Sequence, residues 1–278
     1  MMINEFYVLN NGVKIPKIAL GTWQVPNDIV DNCIVMATRN GYRHIDTAFK
    51  YKNEVGVGKG IKDCGINREE LFIATKISDK VKTYEGAKEA IEISLQNLGL
   101  EYMDLCLIHA PRPYVEMINP TGKTYNEENL AVWKAMEEAY HEGKIRALGV
   151  SNFSKEDIDN LLQNAKVKPT INQIKVHIGF TPIEIMEYCK ENDILIEAFS
   201  PNATGKLFNY PEIMEMANKY NVTVPQLCIR YDLQLGCIVL PKTTHEEYMI
   251  QNADVNFEIS EEDMSILKSI KGDFVALD

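Results

Sequence analysis

Gly41-Tyr42-Arg43-His44-Ile45-Asp46-Thr47-Ala48 writes a helix stop, a three-residue strand and a turn into eight positions. Gly41 ends the amphipathic pattern over Asp28–Asn40, where a glycine takes the left-handed conformation without a Cβ penalty. His44–Asp46 reads as the strand, and Tyr51 follows five positions after Asp46, in the turn beyond it. A carboxylate ending a strand with a phenol just past it is poor packing material, because aspartate is depleted from strands and rarely buried unpaired. A phenol near an acid and a cation can instead donate a proton, provided its pKa is lowered from about 10.

Outward from this stretch the same unit recurs. Short apolar runs at Ile18–Leu20, His44–Asp46, Leu71–Lys76, Asp104–His109, Ala147–Ser151, Ile171–Lys175, Ile194–Phe199 and Cys237–Leu240 alternate with helical patterns. Thr83–Leu98 and Glu127–Glu142 are two of these helices, and Gly99 and Gly143 stand where they should stop. Thr181-Pro182-Ile183-Glu184 predicts a capping box, with weaker versions at Ser154–Asp157 and Ser260–Asp263. Thr223 and Pro225 open a further helix, carrying Leu227, Tyr231 and Leu235 on one stripe before Gly236. Eight strands alternating with helices predict an α/β chain folded as a closed (β/α)8 TIM barrel. A doubly wound sheet is weakened because no Gly-rich dinucleotide fingerprint follows an early strand. Ahead of the first unit, Phe6–Ile15 forms two alternating runs across Asn11-Gly12, a β-hairpin signal. No linker or composition break divides the chain, so 1–278 reads as one barrel domain.

At 278 residues the chain suits one such barrel. Its net charge of −11 argues against nucleic acid or an anionic membrane as partner, since both need clustered Lys and Arg. The six cysteines, at 33, 64, 106, 189, 228 and 237, show no CxxC pair and no Cys/His ligand spacing, so they read as reduced thiols with no metal site. The N-terminal residues lack a basic segment with a long apolar core, and no run approaches ~18 apolar residues, which points to a cytoplasmic protein. No exposed apolar stripe is evident, and the expected state is a monomer.

In such a barrel, chemistry gathers at the C-terminal ends of the strands. Asp46, Lys76 and His109 end strands two, three and four, Ser151 and Asn152 follow strand five, and Gln173 lies in strand six. Each alone is weak, since a strand-end lysine is usually a solvated rim charge and a lone histidine usually structural. Together they place an acid, a cation and an imidazole beside Tyr51. A partly buried Lys76 paired with Asp46 stays charged and favours the tyrosinate form of Tyr51, which makes the phenol a competent acid nearer neutral pH. His109 can hold a substrate oxygen within reach of that phenol. The arrangement protonates an oxygen that gains negative charge, as when hydride adds to a carbonyl, and the hydride must come from a cofactor.

The chain resembles the aldo-keto reductase family along nearly its whole length. The matching motifs run in order: Gly41–Ala48 with Tyr51 and Asn53-Glu54, Ile73-Ala-Thr-Lys76, Leu107-Ile-His109, Gly149-Val-Ser-Asn-Phe153, Asn172-Gln173 and Leu240-Pro-Lys242. The resemblance implies a catalytic tetrad of Asp46, Tyr51, Lys76 and His109, with Tyr51 as general acid in the NAD(P)H-dependent reduction of a small aldehyde or ketone. It also implies that Ser151, Asn152 and Gln173 hydrogen-bond the nicotinamide carboxamide, and that Phe199 stacks on the ring in place of a usual tyrosine. Ser200 and Thr204 would then lean over the pyrophosphate, in a loop that departs from the family's usual Leu-Gly sequence. Lys242 and Thr243 match the site for the 2′-phosphate of NADPH, and Asn252 matches an adenine contact. Tyr248 stands where the family has an arginine, and tyrosine stacks but cannot pair with phosphate through a planar fork. NADPH is the expected cofactor, which Lys242 still favours, and the exchange at Tyr248 opens NADH as an alternative.

Ala110 replaces the family's tryptophan after the histidine and should widen the substrate pocket, while Trp23 is a candidate wall. Arg112 is a solvated loop charge or, less favoured, a contact for acidic substrates. His177 reads as a core histidine, His44 and His141 as structural or surface, and His245 as near the adenosine end. The short tail Lys271–Asp278 closes little of the mouth, which implies an open site. Two other functions compete: a Schiff-base lyase using Lys76 as nucleophile, and a non-catalytic subunit that binds cofactor without turnover.

Overall fold

The computed structural model describes residues 2–272. An antiparallel hairpin of β1 (Phe6–Val8) and β2 (Lys14–Pro16) comes first, turning at Gly12 with φ +85°. Eight parallel strands follow: β3 (Ala19–Gly21), β4 (His44–Asp46), β5 (Phe72–Ile77), β6 (Leu105–Ile108), β7 (Leu148–Ser151), β8 (Ile171–Lys175), β9 (Leu195–Phe199) and β10 (Ile238–Leu240). They pair in chain order. Ile18 bridges Val239, and the Gly21 N–H donates to the Pro241 carbonyl at 3.0 Å, so the last strand meets the first. This is the (β/α)8 barrel that the alternation predicts.

The period of two along each strand sorts side chains into two layers. Ala19, Phe72, Ala74, Leu105, Leu107, Ala147, Ile171, Ile238 and Leu240 cluster inside the barrel. Their alternates, among them Ile45, Ile73, Ile108, Val150 and Val239, pack outward against the helices. The hairpin closes the base: Leu9 and Ile15 join the interior cluster. Asn10 Nδ2 donates to Pro169 and Asp193 carbonyls and Asn11 Nδ2 to that of Arg146, just ahead of β8, β9 and β7.

The helices start largely where their signals stand. Ser154 forms a full capping box with Asp157, as Thr223 does with Gln226, and Thr83 and Ser260 accept from backbone N–H groups three residues on. The capping box expected at Thr181 is absent. That helix runs Ile183–Glu191 with no side-chain cap, because the Thr181 hydroxyl instead bonds the Tyr231 hydroxyl at 2.8 Å, on the neighbouring helix Val224–Gln234. Further helices lie at Glu54–Asp63, Pro211–Lys219 and Glu246–Ala253. No helix among the described residues is long and apolar enough to cross a membrane. The tail expected to leave the mouth open lies mostly outside the described residues, which end at 272.

Candidate active site

Asp46 and Lys76 sit on the inward face at the carboxyl ends of β4 and β5. Lys76 has no exposed surface, and its Nζ donates to Asp46 Oδ1 at 2.6 Å and to the Thr47 carbonyl at 2.8 Å. A lysine enters a barrel interior only with such partners, and removing one from a buried pair typically costs about 3–5 kcal/mol. The same Nζ lies 5.2 Å from the centroid of the Tyr51 ring. Tyr51 is half-buried on the single turn Phe49–Tyr51. Asn53 braces that turn: its amide accepts from Thr47 Oγ1 and donates to the Thr22 and Val25 carbonyls. Glu54 accepts from Thr75 and Asn97.

His109 follows β6 and stands edge-on to Tyr51 at 5.8 Å between ring centroids. Burial, with the charge of Lys76 behind it, holds its pKa down to about 3, so the imidazole is neutral at neutral pH. Its Nδ1 is buried with no hydrogen-bond partner among the described residues. The structure thus brings all four expected groups to one end of the barrel.

The next strands supply amides. Ser151 ends β7, and Asn152, at φ +60°, donates from Nδ2 to Ser151 Oγ and the His109 carbonyl. Gln173 in β8 directs Nε2 at Asp46 Oδ1 (2.9 Å) and at Glu197 Oε2 (2.7 Å). Phe199 is half-buried at the end of β9. Beyond it Ser200, Ala203, Thr204 and Gly205 all have positive φ, and the Thr204 hydroxyl is spent on the Ala203 carbonyl. Past β10, Lys242 is exposed, while Thr243 is buried and accepts from the His245 N–H. Tyr248 and Asn252 lie one turn apart on Glu246–Ala253, Tyr248 exposed and edge-on to His245, Asn252 buried.

Around the rim, then, come amide and hydroxyl groups, an aromatic ring, a left-handed loop and a cation, in strand order. That donor set fits a nicotinamide, its phosphates and a phosphorylated ribose. Asn202 Oδ1, buried in the loop without a partner among the described residues, fits a segment built to meet a ligand.

On the substrate side, Trp23 is half-buried. Ala110 is fully buried and offers small size rather than contact surface, and its carbonyl accepts from Lys82. Arg112 faces Asp157 at 3.5 Å. His177 is buried and His141 exposed.

Several residues of this site carry no signal at the strand ends of the linear pattern. Tyr114 stands edge-on to His109 at 5.7 Å, with Lys50 4.0 Å from its centroid and Asp79 accepting from its backbone N–H. Lys82 donates to the carbonyls of Ala110 and Pro111 and to Asn129 Oδ1, each at 3.0 Å. Glu197 is fully buried in β9. Its signal was present: a lone acid in Leu195-Ile-Glu-Ala-Phe199, two residues from the inward Phe199, must itself point inward.

Eight parallel strands with a polar carboxyl-end mouth and an apolar, plugged base define an enzyme-type α/β barrel. A sequence profile of the Aldo/keto reductase family matches residues 17–271. The chain belongs to that family, and it is an oxidoreductase. It is 42% identical over 267 residues to a glyoxal reductase of Bacillus subtilis, covering 95% of this chain and 92% of that protein. Its fold matches the crystal structure of an aldo-keto reductase from a Medee basin deep-sea metagenome library (TM-score 0.88, 37% identity, 96% of this chain and 95% of the other). It matches equally a Bombyx mori aldo-keto reductase crystallised with NADP (TM-score 0.88, 32% identity, 98% and 95%).

Proposed function

We propose that this protein reduces the carbonyl group of a small aldehyde or ketone to the alcohol, using NADPH, with Tyr51 as general acid. The observation that carries this reading is the buried Lys76, paired with Asp46, whose Nζ lies 5.2 Å from the centroid of the Tyr51 ring, with the neutral His109 edge-on to the same ring at 5.8 Å. When bound, the reduced nicotinamide supplies a hydride to the carbonyl carbon. Tyr51 passes its hydroxyl proton to the carbonyl oxygen, and Lys76 stabilises the phenolate left behind. Neutral His109 orients that oxygen by donating one hydrogen bond, without competing for the proton.

Ser151, Asn152 and Gln173 hold the carboxamide, Phe199 covers the ring, Ser200 and Thr204 belong to the loop over the pyrophosphate, and Lys242 with Thr243 meets the 2′-phosphate. Tyr248 and Asn252 flank the adenine. Trp23 and Tyr114 flank the substrate, and small dicarbonyls such as glyoxal are the first compounds to assay, given the name of the Bacillus relative. A Schiff-base reading is disfavoured by Lys76, whose Nζ is committed to Asp46 and Thr47 and has no exposed surface.

The test is a carbonyl panel followed by NADPH and NADH oxidation at 340 nm, with Tyr51→Phe as control. Loss of the acid should lower kcat by roughly 10²–10⁴-fold while NADPH affinity stays within twofold. A Tyr51→Phe enzyme with full reductase activity removes the proposed acid.

A further inference from the structure

Inside the barrel, below the Lys76–Asp46 pair, lies a second polar pair that the proposed chemistry does not use. His44 of β4 and Glu197 of β9 both point inward and are fully buried. His44 Nε2 and Glu197 Oε1 face each other at 3.5 Å, and neither has another partner among the described residues. The opposite nitrogen of the imidazole, Nδ1, lies 3.3 Å from the Pro16 carbonyl, which can only accept. Nδ1 therefore carries the ring hydrogen, and Nε2 presents a lone pair. A carboxylate facing that lone pair would be repelled, whereas a carboxylic acid donates to it. Burial and the neighbouring Asp46 push Glu197 up to about 8, and burial holds His44 down to about 3, so both are neutral at pH 7 and the contact is no ion pair.

The wiring continues upward. Glu197 Oε2 accepts one amide hydrogen of Gln173, and Asp46 Oδ1 accepts the other. Both hydrogens of that amide are thereby spent on carboxyl oxygens. A flipped amide would set its oxygen against those oxygens, so the orientation is dictated by chemistry. What Gln173 has left to offer a ligand is its carbonyl oxygen, an acceptor for the NH2 of a carboxamide.

We propose that Glu197, held by His44, is a positioning residue that locks the Gln173 amide with its oxygen toward the nicotinamide carboxamide. The inference rests on the reading that Gln173 meets the cofactor, and it assigns the orientation to a residue that touches no ligand. Glu197→Gln preserves the wiring, because a carboxamide donates to His44 Nε2 and accepts from Gln173. Glu197→Leu removes the acceptor and frees the amide to rotate.

The experiment is calorimetric titration of five proteins, wild type, Glu197→Gln, Glu197→Leu, Gln173→Ala and the double variant Glu197→Leu/Gln173→Ala, with NADPH and separately with 2′,5′-ADP, which lacks the nicotinamide. The expected result is an NADPH Kd raised about tenfold in Glu197→Leu and Gln173→Ala, within twofold of wild type in Glu197→Gln, and unchanged 2′,5′-ADP binding throughout. In the double variant Glu197→Leu/Gln173→Ala, the NADPH Kd should match Gln173→Ala alone. Normal NADPH binding by Glu197→Leu beside weakened Gln173→Ala overturns the positioning role. Equal weakening toward 2′,5′-ADP shows a general collapse and also overturns it. Normal NADPH binding by Gln173→Ala overturns the cofactor reading itself.

Discussion

Tyr248 is 48% exposed on its helix and stands edge-on to His245. A planar guanidinium at that position would add a charge-assisted contact to a 2′-phosphate, worth about 1.5–3 kcal/mol. Tyr248→Arg should therefore raise the NADPH-over-NADH ratio of kcat/KM by roughly 10–100-fold, with little change in kcat. Steady-state kinetics with both cofactors decide it, and an unchanged ratio would mean the phosphate is bound elsewhere. At this scale the sequence was most legible where one residue type has one use at a strand end: Asp46, Lys76 and His109 converge as expected. Glu197 and Tyr114 were harder to find, because their meaning depends on which strand or turn lies opposite, and a linear pattern carries no such neighbour.

Lys82 shows how an element outside the tetrad shapes the mouth. It precedes the helix Tyr84–Leu98, yet its ammonium ties down the Ala110 and Pro111 carbonyls, on the segment between His109 and Arg112. Burial draws its pKa down to about 8. Lys82→Met should leave those carbonyls unpaired and loosen the segment, raising KM for the carbonyl substrate several-fold while NADPH affinity holds. Kinetics beside cofactor titration would separate these, and a shift confined to the cofactor would contradict the assignment. Element boundaries were read to within a residue or two where caps or glycines mark them, as at Thr83 and Gly99. Thr181 departs from its signal because a hydroxyl can serve its own helix or the next, and packing against Tyr231 decides between them.

At the scale of the whole molecule, buried ionisable groups make stability depend on pH from two sides. Glu197, an acid pushed up to about 8, keeps its proton in the native state while the unfolded chain releases it. Stability from this group is present below about 4.5 and is lost as pH rises toward 8. His44 and His109, held to about 3, act in the opposite sense, losing stability as pH falls from about 6.5 toward 3. Glu197→Gln removes only the first. Relative to wild type, its unfolding free energy should therefore climb between pH 5 and 8, with a slope of at most about 1.4 kcal/mol per pH unit. Urea melts across that range measure it, and a flat difference would show that Glu197 does not hold its proton. The barrel was legible from alternation alone, since each strand buries both faces and each helix one. The coupling of β4, β5, β8 and β9 through their inward side chains was not, because it arises only on closure.

The hairpin beneath the strands makes the barrel a cup rather than a tube. With Leu9 and Ile15 filling its floor and asparagine amides sealing the seams, traffic through the described interior has a single rim. Water displaced by an incoming ligand must leave by the way the ligand enters. On the proposed mechanism, the proton that recharges Tyr51 after each turnover must arrive there too, once the product has cleared the path.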